Sequence, residues 1–165
     1  METKQYLIDF YNTYDEDSRL ALKHGMVEFL TTMHYIDKYI KSGDCVLEIG
    51  AATGRYSHTL ARQGYDVDAV ELVEHNIEVF HKNTQSNENI SITQGNAMDL
   101  SVFPDNKYDI TWLLGPLYHL YNKEDKQQAL HEAIRVTKPG GVVFAAYVIF
   151  DGCLIDDGFY RGNID

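Results

Sequence analysis

The fold of this chain is decided by the stretch Val46-Leu47-Glu48-Ile49-Gly50-Ala51-Ala52-Thr53-Gly54-Arg55-Tyr56-Ser57. An apolar run that ends in an acid and a glycine is typical of a parallel strand covered on both faces. Gly50 and Gly54 lack a Cβ atom, so the backbone can turn sharply there and approach a ligand closely. A helix that begins after this turn presents free N–H groups, which favour polar or anionic ligand groups. The stretch therefore predicts a strand, a nucleotide-binding loop and a helix.

Around this stretch, apolar segments alternate with amphipathic ones. The pattern predicts strands at 45–49, 66–72, 89–93, 108–114 and 142–150. It predicts helices at 56–63, 74–83 and 123–137, with two more helices before residue 44. Such alternation indicates an α/β fold with a doubly wound, mostly parallel sheet and helices on both faces. Ligands bind these sheets at the carboxyl ends of the strands, where the loop after Ile49 is expected to lie.

Composition narrows the classes of partner. The chain has 165 residues and a net charge of −11, from 14 Lys and Arg against 25 Asp and Glu. A surface of that sign disfavours nucleic acid, and we find no apolar run long enough to cross a membrane. The segment from Met1 to Phe10 does not resemble a signal peptide, and Cys45 and Cys153 form no Cys-x-x-Cys pair. These features predict a reduced, cytoplasmic protein, and the spacing of the histidines predicts no metal site.

The glycine spacing discriminates between kinds of nucleotide loop. A phosphate-binding ATP loop needs four residues between its glycines and then Lys-Ser/Thr, but only three residues separate Gly50 from Gly54 and Arg55-Tyr56 follows. A dinucleotide fingerprint needs a further glycine inside the helix, so a nicotinamide cofactor remains the weaker alternative. Glu71 ends a predicted strand about 20 residues beyond the loop, where a carboxylate can accept both hydroxyl groups of a ribose. The pattern favours an adenosine nucleoside.

The segment from Leu47 to Gly54 resembles the first motif of the class I S-adenosylmethionine-dependent methyltransferases. Further matches follow in the same order as in that family. Glu71 resembles its ribose-binding acid, and residues 95–100 resemble its adenine-side loop. Residues 108–120 resemble its fourth strand and the active-site loop after it, and residues 135–141 resemble the turn into its fifth strand. The resemblance spans about 45–150 and implies an S-adenosylmethionine-dependent methyltransferase. Each motif alone is weak, whereas five motifs in the correct order are specific.

Two departures from the family pattern affect these expectations. Ala52 stands where the family usually has glycine, which would cost about 1 kcal/mol if this residue requires a positive φ. Nothing after residue 150 corresponds to the antiparallel strands that normally end the family's sheet, so we expect a sheet without them. An apolar fifth strand at a bare edge then predicts a homodimer formed along that edge.

The resemblance also implies roles for individual residues. Residues 1–44 are expected to form helices that cap the cofactor site, and 45–165 to form the α/β core. From the longer of these helices, Thr31 or Thr32 is expected to point towards the site. His119 is the candidate catalytic base, with a purely structural histidine as the alternative. The expected cofactor-binding residues are Glu48, Gly50, Ala51, Ala52, Thr53, Gly54, Glu71, Leu72, Asn96, Ala97, Met98, Leu114, Gly115, His119, Tyr14 and Arg19.

The function that these expectations favour is methyl transfer from S-adenosylmethionine to a small molecule. A non-catalytic S-adenosylmethionine-binding module is the main alternative, because the expected carboxyl-terminal strands are missing. A nicotinamide-dependent oxidoreductase is the weaker alternative, because the glycine spacing disfavours it. The sequence identifies neither the acceptor nor the accepting atom.

Overall fold

A computed structural model describes residues 2–14, 16–19, 23–153, 155, 158 and 162–163. Its strands are β1 (Cys45–Ile49), β2 (Asp66–Glu71), β3 (Ile90–Gln94), β4 (Tyr108–Leu113) and β5 (Thr137–Ala145). Its helices are α1 (Glu2–Tyr11), α2 (Glu16–Arg19), α3 (Lys23–Asp37), α4 (Arg55–Arg62), α5 (Glu74–Asn83), α6 (Lys123–Val136) and α7 (Phe150–Cys153). A short 3₁₀ helix, Pro116–Tyr118, follows β4.

The five strands form one parallel sheet in the order β3-β2-β1-β4-β5. The predicted doubly wound α/β fold is confirmed. The order of the chain reverses between β1 and β4, so the crevice at their carboxyl ends is the expected ligand site.

Alternation along β1 divides the interior into two cores. Val46 is buried and packs in one core with Trp112 and with residues of α3 and α4. Leu47 and Ile49 point to the other face, where they pack in the core that includes α6. Both faces of the central strand are therefore apolar, which explains its near-continuous hydrophobic sequence.

The fifth strand differs from its prediction. β5 begins at Thr137 rather than at Val142, and its pairing with β4 is irregular because Tyr108 pairs with Thr137 while Ile110 pairs with Val142. The predicted turn at 138–141 is thus a bulge inside the strand.

The apolar residues at the end of the predicted fifth strand lie outside the sheet. Tyr147, Val148 and Ile149 are exposed, and the ladder ends near Ala146, whose N–H donates to Leu113 O at 3.1 Å. β4 ends at Leu113, so the following residues have no neighbour on that side. Apolar sequence alone does not reveal where the partner strand stops.

Asn122 caps α6, since its Oδ1 accepts a hydrogen bond from Asp125 N at 2.7 Å. None of the helices in the described ranges is long and apolar enough to span a membrane.

Gly54, which precedes α4, provides a test of how tightly the loop is packed. Its φ is 87°, and a Cβ atom there would lie 2.5 Å from Phe80 Cε2 and 2.8 Å from His58 Cδ2. Gly64, after the same helix, has a φ of 94° but open space around the equivalent position. We expect Gly64→Ala to lower the free energy of unfolding by about 1 kcal/mol, from backbone strain alone. Gly54→Ala should lower it by about 2–4 kcal/mol, because overpacking adds to that strain.

Urea unfolding of the two variants beside the wild type measures both losses. Equal losses would contradict the packing role assigned to Gly54.

Candidate functional site

A cavity of about 510 Å³ opens at the carboxyl ends of β1, β2 and β4. This cavity lies where the strand order reverses, between β1 and β4. Most of the predicted site residues line it: Glu48, Gly50, Ala51, Ala52, Thr53, Glu71, Leu72, Asn96, Ala97, Leu114, Gly115, His119, Tyr14 and Arg19. Residues that are far apart in sequence therefore meet at one site.

Two predicted residues, Gly54 and Met98, are not among those that line the cavity. The open side of Gly54 faces Phe80 and His58, so the missing Cβ makes room for packing rather than for a ligand. The Met98 side chain packs against the core on the α6 side of the sheet, while its N–H donates to Asn96 Oδ1 at 3.0 Å. The backbone of Met98 therefore belongs to the loop beside the cavity, and its side chain belongs to the core.

The loop after β1 is attached to the end of β2. Gly50 N and Ala51 N donate to the carbonyl of Val70 at 2.8 and 3.0 Å, and Ala52 N donates to Glu71 Oε2 at 2.8 Å. Ala52 has a φ of 48°, so the positive-φ condition considered for this alanine is met. The left-handed conformation costs an alanine about 1 kcal/mol, and the hydrogen bond to Glu71 helps to hold it.

Glu71 joins three parts of the site. Its side chain is buried, and Oε1 accepts from Val73 N at 2.9 Å and, at 3.5 Å, from Asn76 Nδ2. Burial raises the pKa of this carboxyl, while the backbone hydrogen bonds oppose the shift. The same group therefore holds the loop after β1, the approach to α5 and one wall of the cavity.

Glu48 lies deeper in the same cavity. It is 4% exposed, and its Oε2 accepts hydrogen bonds from the backbone N of Ser57 at 3.0 Å and from the Ser57 hydroxyl. Burial raises the pKa of Glu48 to about 7, and the nearby Glu71 acts in the same direction. Ser57 opposes the shift by donating to the carboxylate. Near neutral pH, both the protonated and the ionised form of Glu48 are therefore populated.

The loop after β3 forms a third wall. Gly95 N donates to the carbonyl of Glu71 at 2.9 Å, which ties this loop to β2. Asn96 Oδ1 is engaged by Met98 N, as in an ordinary Asx turn. The turn role of Asn96 is thus observed, and the residue also lines the cavity.

Aromatic side chains from α1 and the turn after it line another part of the cavity. Phe10 and Tyr14 stack with ring centroids 5.0 Å apart, and both line the cavity together with Leu7 and Tyr11. The Tyr11 hydroxyl and His119 Nε2 share a hydrogen bond of 3.1 Å across 108 positions of sequence. Burial lowers the pKa of His119, and burial is also the main cause that raises the pKa of Tyr11 to about 12. Both groups are therefore neutral at pH 7.

Arg19 lines the cavity but is held by two carboxylates. Its Nε donates to Glu16 Oε1 at 2.7 Å, and its Nη1 donates to Glu28 Oε2 at 2.8 Å. These contacts link α2 to α3, and they neutralise the guanidinium charge.

Some residues that line the cavity were not predicted from the sequence. Thr31 or Thr32 was the expected contribution of α3, whereas Glu28, one turn earlier, lines the cavity. Tyr56 also lines it, and its buried hydroxyl lies near Thr32 without a described partner of normal hydrogen-bond geometry. Helical periodicity identifies which residues share a face, but the rotation of that face toward the sheet is set by packing.

No cluster of three or more His, Cys, Asp or Glu side chains with an arrangement suited to a metal ion occurs within the described ranges.

Comparison with known proteins provides independent information. Residues 47–145 match a family model described as a methyltransferase domain. The demethylmenaquinone methyltransferase of Staphylococcus aureus (strain JH9) is 33% identical over 110 residues, which are 65% of this chain and 44% of that protein. The chain thus matches less than half of the length of this curated relative.

Solved structures share the fold at lower identity. A protein of Pyrococcus horikoshii OT3 superposes with a TM-score of 0.77 at 22% identity, over 90% of this chain and 71% of that chain. Phosphoethanolamine N-methyltransferase 1 of Haemonchus contortus gives a TM-score of 0.71 at 19% identity, over 87% of this chain and 31% of that chain. At these identities the likeness concerns the fold.

Burial of Glu48 makes stability depend on pH with a defined sign. Below about pH 4.5 the carboxyl is protonated in the folded and unfolded states alike, and it contributes no pH dependence. Between about 4.5 and 7 the unfolded state loses this proton first, so the free energy of unfolding falls as pH rises. The total fall is about 3 kcal/mol and is complete above pH 7.

Glu48→Gln removes this titration. The difference in unfolding free energy between wild type and Glu48→Gln, measured by urea denaturation from pH 4.5 to 8, should therefore decline as pH rises. A difference that stays constant or grows over this range would rule out the buried, pKa-raised carboxyl.

Proposed function

This chain belongs to the methyltransferase domain family, within the class I S-adenosylmethionine-dependent methyltransferases, and we propose that it transfers the cofactor's methyl group to a small-molecule acceptor. The observation that carries this proposal is the convergence of Glu48, the loop after β1, Glu71 and Asn96 on one cavity. The volume of that cavity falls within the usual range of about 300–1,000 Å³ for small-molecule sites.

The residues present fit the cofactor group by group. Glu71 stands at the end of β2, where its carboxylate would accept the ribose hydroxyls while keeping the loop in place. Leu72 and Ala97 would offer apolar contacts to the adenine ring, and the Asn96 amide would supply a polar one. Glu48 and the backbone after β1 would hold the methionine end. The donor set therefore matches a nucleoside at one end and a charged amino acid at the other.

The cofactor supplies an electrophilic methyl group on a sulfonium, and this chain's residues align the acceptor and exclude water. In-line displacement depends mainly on alignment and desolvation. We assign both tasks to residues 1–44, whose α1 places Leu7, Phe10 and Tyr11 over the cavity. The aromatic rings would exclude water from the site, and Tyr14 and Arg19 would complete this cap beside the cofactor.

His119 is the group we assign to accept a proton from the acceptor. Its imidazole is neutral at pH 7, because burial lowers its pKa, and it lies in the loop after β4 beside the cap. The hydrogen bond to Tyr11 orients the ring and joins α1 to this loop. His119 thus has a positioning partner as well as a chemical role.

A small-molecule acceptor has two further supports. The curated relative is named for demethylmenaquinone, which is a small molecule. The net charge of −11 disfavours nucleic acid as the acceptor. A cytoplasmic location and a homodimer stay predictions.

Calorimetry with S-adenosylmethionine, S-adenosylhomocysteine and NAD tests the proposed cofactor. We expect the first two ligands to bind and NAD not to bind; binding of NAD alone would overturn the proposal. Glu71→Ala should weaken S-adenosylhomocysteine binding by about 1–3 kcal/mol, since it removes charge-assisted hydrogen bonds and the anchor of the loop. Glu78→Ala, an exposed acid on α5, is the matched control and should leave the affinity unchanged.

A screen of methyl transfer to small molecules in cell extract separates an enzyme from a non-catalytic binding module. Binding of S-adenosylmethionine without any methylated product would favour the module.

Once a methyl acceptor has been identified, the pH dependence of kcat tests whether His119 acts as the base. The wild-type rate should fall on the acid side with a midpoint below 6.5, because protonation removes the base and burial lowers its pKa. His119→Gln should lower kcat by about 10²–10⁴-fold and abolish this acid limb. His131→Gln, on the exposed side of α6, should change neither. An acid limb that persists in His119→Gln would assign His119 a structural role only.

A further inference from the structure

Glu48 is a buried acid without a described cationic partner. Both of its hydrogen bonds from Ser57 fall on Oε2, while the residue also lines the cavity. The ion pairs among the described residues involve other acids: Glu16, Glu28, Asp68, Glu88, Asp105, Asp109 and Glu132. The carboxyl is thus taken out of water without a counter-charge, which disfavours its ionised form.

Besides Ser57, one neighbouring group favours the ionised form of Glu48, and others do not. Glu71 from β2 is an acid, and Tyr56 from α4 is a phenol whose own pKa is raised, chiefly by burial. Trp112 on β4 is in register with Glu48, and its buried indole N–H lowers the pKa of Glu48, although no hydrogen bond of normal geometry forms between them. Two guanidinium groups line the cavity. That of Arg19 is held by Glu16 and Glu28, and that of Arg55 lies over the Phe29 ring, 4.9 Å from its centroid. Neither guanidinium forms an ion pair with Glu48 within the described part of the chain, whereas a ligand in the cavity can bring a positive charge to this carboxyl.

We infer that Glu48 carries a proton in the ligand-free protein and releases it to solvent when an ammonium group of the ligand binds beside it. This inference rests on the proposed function, because the cofactor's amino acid end supplies that ammonium. The carboxylic acid becomes a carboxylate, one proton leaves for each ligand that binds the protonated form, and no covalent bond forms to the ligand.

Proton release couples affinity to pH. Burial raises the pKa of Glu48 to about 7, so protonated and ionised forms coexist near neutral pH in the free protein. An adjacent ammonium lowers the pKa in the complex, because it favours the charged form. Binding should therefore strengthen by about 20-fold between pH 5.5 and 7.5 and then level off.

S-adenosylhomocysteine is the probe, since it carries the ammonium and is not consumed. Calorimetry at pH 6.5 in phosphate and in Tris, whose ionisation enthalpies differ, should report release of about 0.5–1 proton per ligand by the wild type. At pH 8.5 the release should approach zero. Glu48→Gln should release none at either pH.

The outcomes separate this inference from the function on which it rests. Binding by the wild type with no buffer dependence at pH 6.5 would overturn the inference and leave the proposed cofactor intact. Proton release that persists in Glu48→Gln would also overturn it, and would point to Glu71. If no S-adenosylhomocysteine binds at any pH, the proposed function itself fails.

Two further measurements test the inference without the Glu48→Gln variant, in case that variant does not fold. Ser57→Ala removes a hydroxyl that stabilises the carboxylate, so proton release should persist to higher pH than in the wild type. Trp112 is the only tryptophan and lies in register with Glu48, so its fluorescence should titrate near pH 7. Saturating S-adenosylhomocysteine should move that midpoint to lower pH, and an unmoved midpoint would count against the inference.

Discussion

The site depends on the attachment of the loop after β1 to the end of β2. The Val70 carbonyl accepts hydrogen bonds from the backbone N–H groups of residues 50 and 51, and the Glu71 carboxylate accepts one from that of Ala52. The loop carries a positive φ at Ala52, and these hydrogen bonds hold that conformation against its cost. Because Glu71 also faces the cavity, the group that builds the loop is the group assigned to the ligand's ribose. Local structure and ligand recognition thus share one side chain.

The cavity places acids where water is largely excluded. Glu48 and Glu71 are both buried, and burial raises the pKa of each. Taking these two carboxyls out of water costs free energy, which the hydrogen bonds that they accept offset only in part, since both pKa values stay raised. The ammonium group proposed to bind beside Glu48 would offset part of this cost, so that burial of the acid would contribute to affinity for the ligand.

The helices that we propose as a cap, α1 and α2, are joined to the rest of the molecule by side-chain contacts distant in sequence. Tyr11 reaches His119 across 108 positions, and Arg19 binds Glu28 on α3. These contacts connect α1 and α2 to the parts of the molecule that line the cavity. A ligand enclosed beneath Phe10 and Tyr11 would be shielded from water, which suits displacement at a sulfonium better than an open cleft does.

The sequence by itself determined the strand, loop and helix at 45–62, the strand–helix alternation, and the acid at 71, because each is a local pattern of periodicity or glycine spacing. Tertiary structure decided the rest. β5 ends at Ala145 because β4 offers no further partner, although the apolar run continues. Glu28 rather than Thr31 or Thr32 faces the cavity because packing sets the rotation of α3. The raised pKa of Glu48 likewise arises from burial between elements that meet only in the folded chain.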